Sequence, residues 1–158
     1  MHKQTVTRVL PYTPEQLQAL VADVKSYPEF VPWVSAMRTW NTSQPAPGVT
    51  QCDAEAEVRF AIVRERFATR VRSDTNTGEI LVSLLYGPFR RLTNRWTFLP
   101  DPAGTLVEFV IEFEFKSRLL ETVLAANAAR GAAKVMSCFE ARARQLYGQP
   151  SGLQLGLA

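Results

Sequence analysis

The sequence predicts an α+β fold, a curved antiparallel sheet wrapped around one long C-terminal helix. The central stretch alternates apolar and polar residues between turn clusters, and the last segment carries apolar residues at helical spacing. The 158 residues are 46% hydrophobic, 10% aromatic and 21% charged, a composition that suits a globular chain and indicates neither disorder nor a fibrous repeat. A chain of this length buries most of its apolar surface around one core.

Residues 1–10 alternate around Val6, Thr5, Thr7 and Arg8 as a strand with one solvated face does, and Pro11 ends it. Thr13 is placed to cap a helix with Pro14 at its first position, and Leu17, Leu20, Val21 and Val24 follow at helical spacing. Tyr27, Pro28, Glu29, Phe30, Val31 and Pro32 form a proline-bracketed aromatic segment, too short for a second full helix and more apolar than a solvent loop.

From Trp33 to Phe115 the pattern changes to strands of roughly eight to twelve residues. Turn clusters at residues 43–48, 76–78 and 100–104 separate them, and Tyr86-Gly87-Pro88-Phe89 reads as a further turn. Over residues 51–60, Cys52, Ala54, Ala56, Val58 and Phe60 share one face, while Asp53, Glu55, Glu57 and Arg59 share the other. Residues 107–115 repeat this, with Phe109, Ile111, Phe113 and Phe115 inside and Glu108, Glu112 and Glu114 outside.

Residues 117–147 are expected to form one helix with Leu120, Val123, Leu124, Asn127, Gly131, Val135, Cys138, Phe139 and Leu146 along its apolar stripe. The sheet's inner face is the large apolar surface left to receive it, so the sheet should grip this helix. Small residues, Ala54, Ala56 and Gly131, oppose a crowd of aromatic ones and could leave room for a ligand.

The net charge of +3 is permissive toward an anionic membrane or RNA without arguing for either. Cys52 and Cys138 lie far apart with no ligand cluster around them, which reads as reduced buried thiols and a cytosolic setting. Residues 1–10 lack the character of an Arg-rich presequence, and no run approaches the ~18 apolar residues of a membrane span.

Catalytic candidates are few. His2 is the one histidine and sits at the chain start, where order is expected to be poor; no catalytic residue, metal site or phosphate-binding loop is predicted. Arg64, Arg66, Arg70 and Arg72 share one face and could read as a nucleic-acid stripe. A hairpin near residues 61–62 would instead set them against Asp53 and Glu57, where ion pairs use up part of that charge. Glu65 falls on the inner face with Phe67 and Val71, either at the rim or orienting a polar ligand head. Asn94 and Asn127 are expected to be satisfied structural amides on apolar faces.

Three segments carry a resemblance. They are Val21-Ala22-Asp23-Val24-Lys25-Ser26-Tyr27-Pro28-Glu29-Phe30-Val31-Pro32-Trp33, then Gly87-Pro88-Phe89-Arg90-Arg91-Leu92-Thr93-Asn94-Arg95-Trp96, and Phe139-Glu140-Ala141-Arg142-Ala143-Arg144-Gln145-Leu146-Tyr147-Gly148. In order and spacing the chain resembles the coenzyme Q-binding family of START-like, polyketide-cyclase-type proteins, and in particular its bacterial members. The resemblance implies a helix-grip fold over residues 1–148, a START-like lipid-binding domain, with residues 149–158 left as a flexible tail.

It also implies a non-enzymatic protein that binds ubiquinone or a similar prenyl lipid in an apolar tunnel and supports respiratory electron transport, with no cofactor. Inward-facing positions nominate Val31, Trp33, Phe67, Trp96, Phe109, Phe113, Leu120, Leu124 and Asn127 for that tunnel. Phe30 and Phe89, beside Val31 and Trp33, are expected at a membrane surface, so that the protein works in the cytoplasm at the inner face of the bacterial membrane. Respiratory or quinone-biosynthesis proteins would be its partners. Some bacterial proteins with this signature are described as ribosome association toxins, so the alternative is a ribosome-bound regulator that blocks subunit association. A cyclase-type enzyme is the third reading, disfavoured by the lack of an internal histidine or clear acid/base pair.

Overall fold

A computed structural model describes residues 1–60 and 62–148; the expected tail over residues 149–158 lies outside the described residues. Strand β1 (His2–Leu10) leads to α1 (Pro14–Ala22) and a 3-10 helix (Val24–Glu29). A meander follows: β2 (Val34–Ala46), β3 (Val49–Phe60), β4 (Val63–Asp74), β5 (Glu79–Tyr86), β6 (Phe89–Asp101) and β7 (Gly104–Phe115). The chain closes with α2 (Arg118–Leu124), a 3-10 turn (Ala125–Asn127) and α3 (Ala128–Tyr147). The seven-stranded sheet has the order β1-β7-β6-β5-β4-β3-β2, so β1 and β2 are its edges.

Local chemistry sets these elements. Thr13 accepts a hydrogen bond from Gln16 N, and Thr13 N donates to the Gln16 side chain, a capping box that satisfies two of the free donors opening α1. In the next segment Tyr27 packs edge-on against Phe30 and Phe139, and its hydroxyl donates to Val21 O. At the β5–β6 turn Gly87 has φ +145, and a Cβ there would collide with Phe67. Only glycine lets this turn lie directly on β4.

The concave face of the sheet holds the core. Leu17, Leu20 and Val21 from α1 meet Ile80, Trp96, Phe98 and Phe109 from the sheet and Met136, Phe139 and Ala143 from α3. A second cluster joins Leu92, Phe113 and Phe115 to Leu120 of α2. Met136 has no exposed surface; truncating such a side chain costs about 2–5 kcal/mol.

Four expectations are corrected. The C-terminal helix is not continuous, because Asn127 adopts φ −110 and ψ 17 and the two helices pack on different clusters of a curved sheet. Its buried stripe is Ala132, Met136, Phe139 and Ala143, while Leu146 is 51% exposed. Most of the turn cluster at residues 43–48 is strand: β2 runs to Ala46 through Pro45, which an edge strand tolerates because no neighbour needs its missing N–H. His2 is ordered within β1, its Nε2 donating to Glu121 Oε2 at 2.6 Å while the ring stacks on Phe113.

Asp53, assigned to the solvated face, is 3% exposed. Arg70 Nε donates to its Oδ1 at 2.9 Å and Asn41 Nδ2 to its Oδ2 at 2.9 Å, so the covering is polar side chain and not core. Those bonds hold its carboxyl below the usual carboxylate range, the Arg70 contact most strongly. The arginine stripe is partly neutralised as expected, with Arg66 on Glu57 at 3.0 Å and Arg70 on Asp53.

Candidate ligand cavity

Between α3 and the concave face lie two apolar chambers. The outer one, about 290 Å³, is walled by Phe67, Phe89 and Phe113 from the sheet and by Leu124, Asn127 and Gly131 from the helical side. The inner one, about 250 Å³, is walled by Val31, Ala54, Ala56, Trp96 and Phe139. Both share Trp33, Phe67, Asn94, Phe109, Ile111 and Val135, which form a girdle where the chambers meet.

Strand parity explains this convergence. Phe109 and Ile111 alternate inward on β7 and pair with Trp96 and Asn94 of β6, which point to the same face. Phe67 reaches in from β4, while Trp33 arrives from the segment between the 3-10 helix and β2. Gly131 of α3 has nothing within 4 Å of where a Cβ would stand, so the helix lacks bulk where the outer chamber needs room.

Most of the nominated residues meet here. Trp33, Phe67 and Phe109 line both chambers; Phe113, Leu124 and Asn127 line the outer one; Val31 and Trp96 line the inner one. Leu120 lines neither, because it is used in packing against Leu92, Phe113 and Phe115. Phe30 is half-buried against Tyr27 and Phe139 with the Arg142 guanidinium over its ring, and Phe89 is half-buried between Phe67 and Phe115. The apolar side chains that do stand in solvent beside the outer chamber are Phe60, 44% exposed, and Ile62, 94% exposed, at the β3–β4 hairpin.

Ile111, Val135 and Leu92 were not singled out as lining residues, although the inward alternation of β6 and β7 carries the signal for Ile111 and Leu92. Asn94 departs from expectation: its Oδ1 is buried and accepts no hydrogen bond among the described residues. Glu65 lines neither chamber and sits half-buried near the hairpin end of β4, the rim position.

Little in this interior can move a proton. The Tyr27 hydroxyl is pushed far above its ordinary range by burial, with Asp23 adding to the effect, and it is already bonded to a carbonyl. Burial likewise raises the half-buried Cys52 and Cys138 thiols, which favours their protonated form. Among the described residues, no group of three or more His, Cys, Asp or Glu side chains could hold a metal ion, and no helix is long and apolar enough to cross a membrane.

Known proteins share this architecture and sequence. The chain is 34% identical over 142 residues to the ribosome association toxin RatA of Escherichia coli K12, covering 89% of this chain and 86% of that protein. It is 34% identical over 149 residues to the mitochondrial coenzyme Q-binding protein COQ10 homolog B of Xenopus laevis, covering 90% of this chain and 58% of that one. The solution structure of an 18 kDa protein from Caulobacter crescentus matches with 58% identity and a TM-score of 0.79, over 94% of this chain and 100% of that one. With a sheet gripping its C-terminal helix and a family model matched over residues 10–140, this chain belongs to the polyketide cyclase / dehydrase and lipid transport family.

Proposed function

We propose that this protein binds ubiquinone or a similar prenyl quinone and supports respiratory electron transport as a non-enzymatic carrier. The observation that carries the reading is the pair of chambers joined at an aromatic girdle, with one amide as its polar side chain apart from the Trp33 indole. The similarity to a coenzyme Q-binding protein gives the ligand its class.

Energetics restrict how such a carrier works. Each buried methylene gains about 0.8 kcal/mol, and a quinone tail in a bilayer already has that gain. Chambers of about 290 and 250 Å³ suit a quinone ring and a few isoprene units. The carrier therefore draws the head out at the inner face of the membrane while most of the tail stays in lipid. The β3–β4 hairpin supplies the shallow membrane contact, while Phe30 and Phe89 are half-buried in aromatic packing with Tyr27 and Phe139 and with Phe67 and Phe115.

Native mass spectrometry and organic extraction of the protein purified from its own host test this. A stoichiometric co-purified quinone is expected. Absence of one, together with no uptake of added short-tailed ubiquinone, would overturn the reading.

A second reading is a regulator of ribosomal subunit association, favoured by the similarity to the ribosome association toxin. The outer face adds a groove in which Arg70, Arg72 and Arg95 stand with Ser83, Thr93 and the Glu112 carboxylate; Arg70 is paired with Asp53 and Arg95 with Glu79, which leaves Arg72 as the guanidinium there without an ion pair among the described residues. Sedimentation of ribosomal subunits with and without the protein separates this reading from the first.

A further inference from the structure

One corner of the molecule gathers a surface that the cavity does not use. Phe89 pairs with Phe115 and Lys116 N donates to Pro88 O at 2.9 Å, which brings the β5–β6 turn, the end of β7 and the start of α2 together. This corner presents Leu119, 64% exposed, and Leu85, 39% exposed. With them stand Arg90, Arg91, Lys116 and Arg118, all exposed and none in an ion pair among the described residues. Glu114 lies opposite Arg91 in the β6–β7 register without an ion pair to it, and Glu121 is committed to His2 and to Phe115 N. The far end of the sheet has the contrary character. Its turns at residues 46–49, 74–79 and 101–104 carry Asp74, Glu79 and Asp101 and no lysine or arginine, so the net charge of +3 is unevenly spread.

Exposed leucines set among four unpaired cations match one partner best. A bilayer with anionic headgroups accepts both kinds of side chain: the cations gain at its negative surface, and the leucines gain by leaving water. RNA phosphates would satisfy the cations and leave Leu85 and Leu119 in water. We propose that this corner is a second membrane-docking surface, selective for anionic phospholipid and separate from the β3–β4 hairpin. The inference rests on the membrane-surface part of the proposed function and adds a second contact and its headgroup preference. One contact lets a protein pivot on the bilayer; two hold it in a fixed orientation. Because α2 also carries Leu124 to the wall of the outer chamber, docking through it sets that chamber beside the lipid.

The test is co-sedimentation of the full chain, without ligand, with phosphatidylcholine vesicles and with vesicles that also contain phosphatidylglycerol. The wild type should bind the anionic vesicles about tenfold more tightly or better, and added salt should erode that advantage as the surface potential is screened. Leu119→Gln should weaken binding about tenfold. Lys116→Gln combined with Arg118→Gln should weaken it roughly 30-fold at low salt. Leu99→Gln, at the far end of the sheet and 49% exposed in the wild type, should leave binding unchanged. Thermal melts establish that each variant is folded, and the double variant decides the matter if Leu119→Gln is not. Binding to anionic vesicles that the folded corner variants retain in full would overturn this surface and leave the hairpin contact standing. No preference for anionic vesicles by the wild type would overturn it too, and loss of ribosomal-subunit binding by the double variant would then assign the cations to RNA. None of the corner residues lines either chamber, so quinone uptake is read independently of every outcome.

Discussion

His2 Nε2 donates to Glu121 Oε2 at 2.6 Å, joining residues 119 positions apart in sequence. The other carboxylate oxygen, Oε1, accepts from Phe115 N at 2.9 Å. One side chain on α2 thus ties that short helix to the edge strand β1 and to the end of β7. Since α2 carries Leu124 to the wall of the outer chamber, this tie governs how firmly that wall is held.

Glu121→Ala is expected to loosen α2 from β1 and from the end of β7. The carboxyl is held below its usual range, first by the His2 bond and then by the Phe115 N–H. A depressed folded pKa means that the stabilisation is fully present above the ordinary glutamate value of about 4.3, and is lost as pH falls through the folded value. Amide hydrogen exchange over residues 118–124, corrected for intrinsic rates, should show reduced protection in the variant at neutral pH. Wild-type protection there should also decline on strong acidification. Identical protection in both proteins at neutral pH would refute the tie.

Gly131 allows stability and capacity to be separated. With open space at its Cβ position, Gly131→Ala should stabilise the protein by about 0.5–1 kcal/mol through helix propensity alone. Gly131→Leu should fill part of the outer chamber and lower affinity for a short-tailed ubiquinone while the fold survives. Thermal melts and binding titrations on both variants check this. Full binding by the leucine variant would mean that the outer chamber holds no ligand.

Arg70→Met leaves the Asp53 carboxylate covered without its main partner. Because Asp53 titrates below its usual range in the folded protein, its contribution is present above the unfolded value and lost as pH drops through the folded one. Removing Arg70 raises the folded value, so the midpoint of acid unfolding should move to higher pH. Circular dichroism followed against pH measures it; an unmoved midpoint would show that Asn41 alone suffices.

The exposed hairpin should meet lipid. Arg59 and Arg64 face each other in the β3–β4 register, Arg59 also 3.8 Å from Glu57, and anionic headgroups would favour this basic hairpin. Ile62 is 94% exposed, and burying such a side chain is worth about 1.5–3 kcal/mol. Ile62→Asp should therefore reduce co-sedimentation with phosphatidylglycerol-containing vesicles by roughly tenfold or more. Equal binding by the variant would move the membrane contact elsewhere on the surface.

Much of this was legible in residue order. Alternation over residues 51–60 and 107–115 gave the inward row of β7 and most of that of β3, and with them part of the cavity wall, because strand parity is a local property. Thr13 and Pro14 gave the start of α1 for the same reason. What stayed hidden depends on distant partners. Asp53 looked solvated because the two side chains that cover it come from β2 and β4. The helix break at Asn127 separates two helices that pack on different clusters, and the isolation of Asn94 Oδ1 can be known only once every neighbour is placed.

The proline in β2 has a consequence for how the protein coexists with itself. A bare sheet edge is a template on which a second chain can crystallise strand by strand, and a protein with an apolar interior to lose is most exposed to that fate. Pro45 offers no N–H to an incoming strand. Nearby, Asn41 takes a left-handed φ of 54 amid register shifts from Trp40 to Ala46 that bend the rim out of plane. The same residues that disguised this strand as a loop make it a poor seed for fibrils, so that a core shaped for cargo does not become glue between copies.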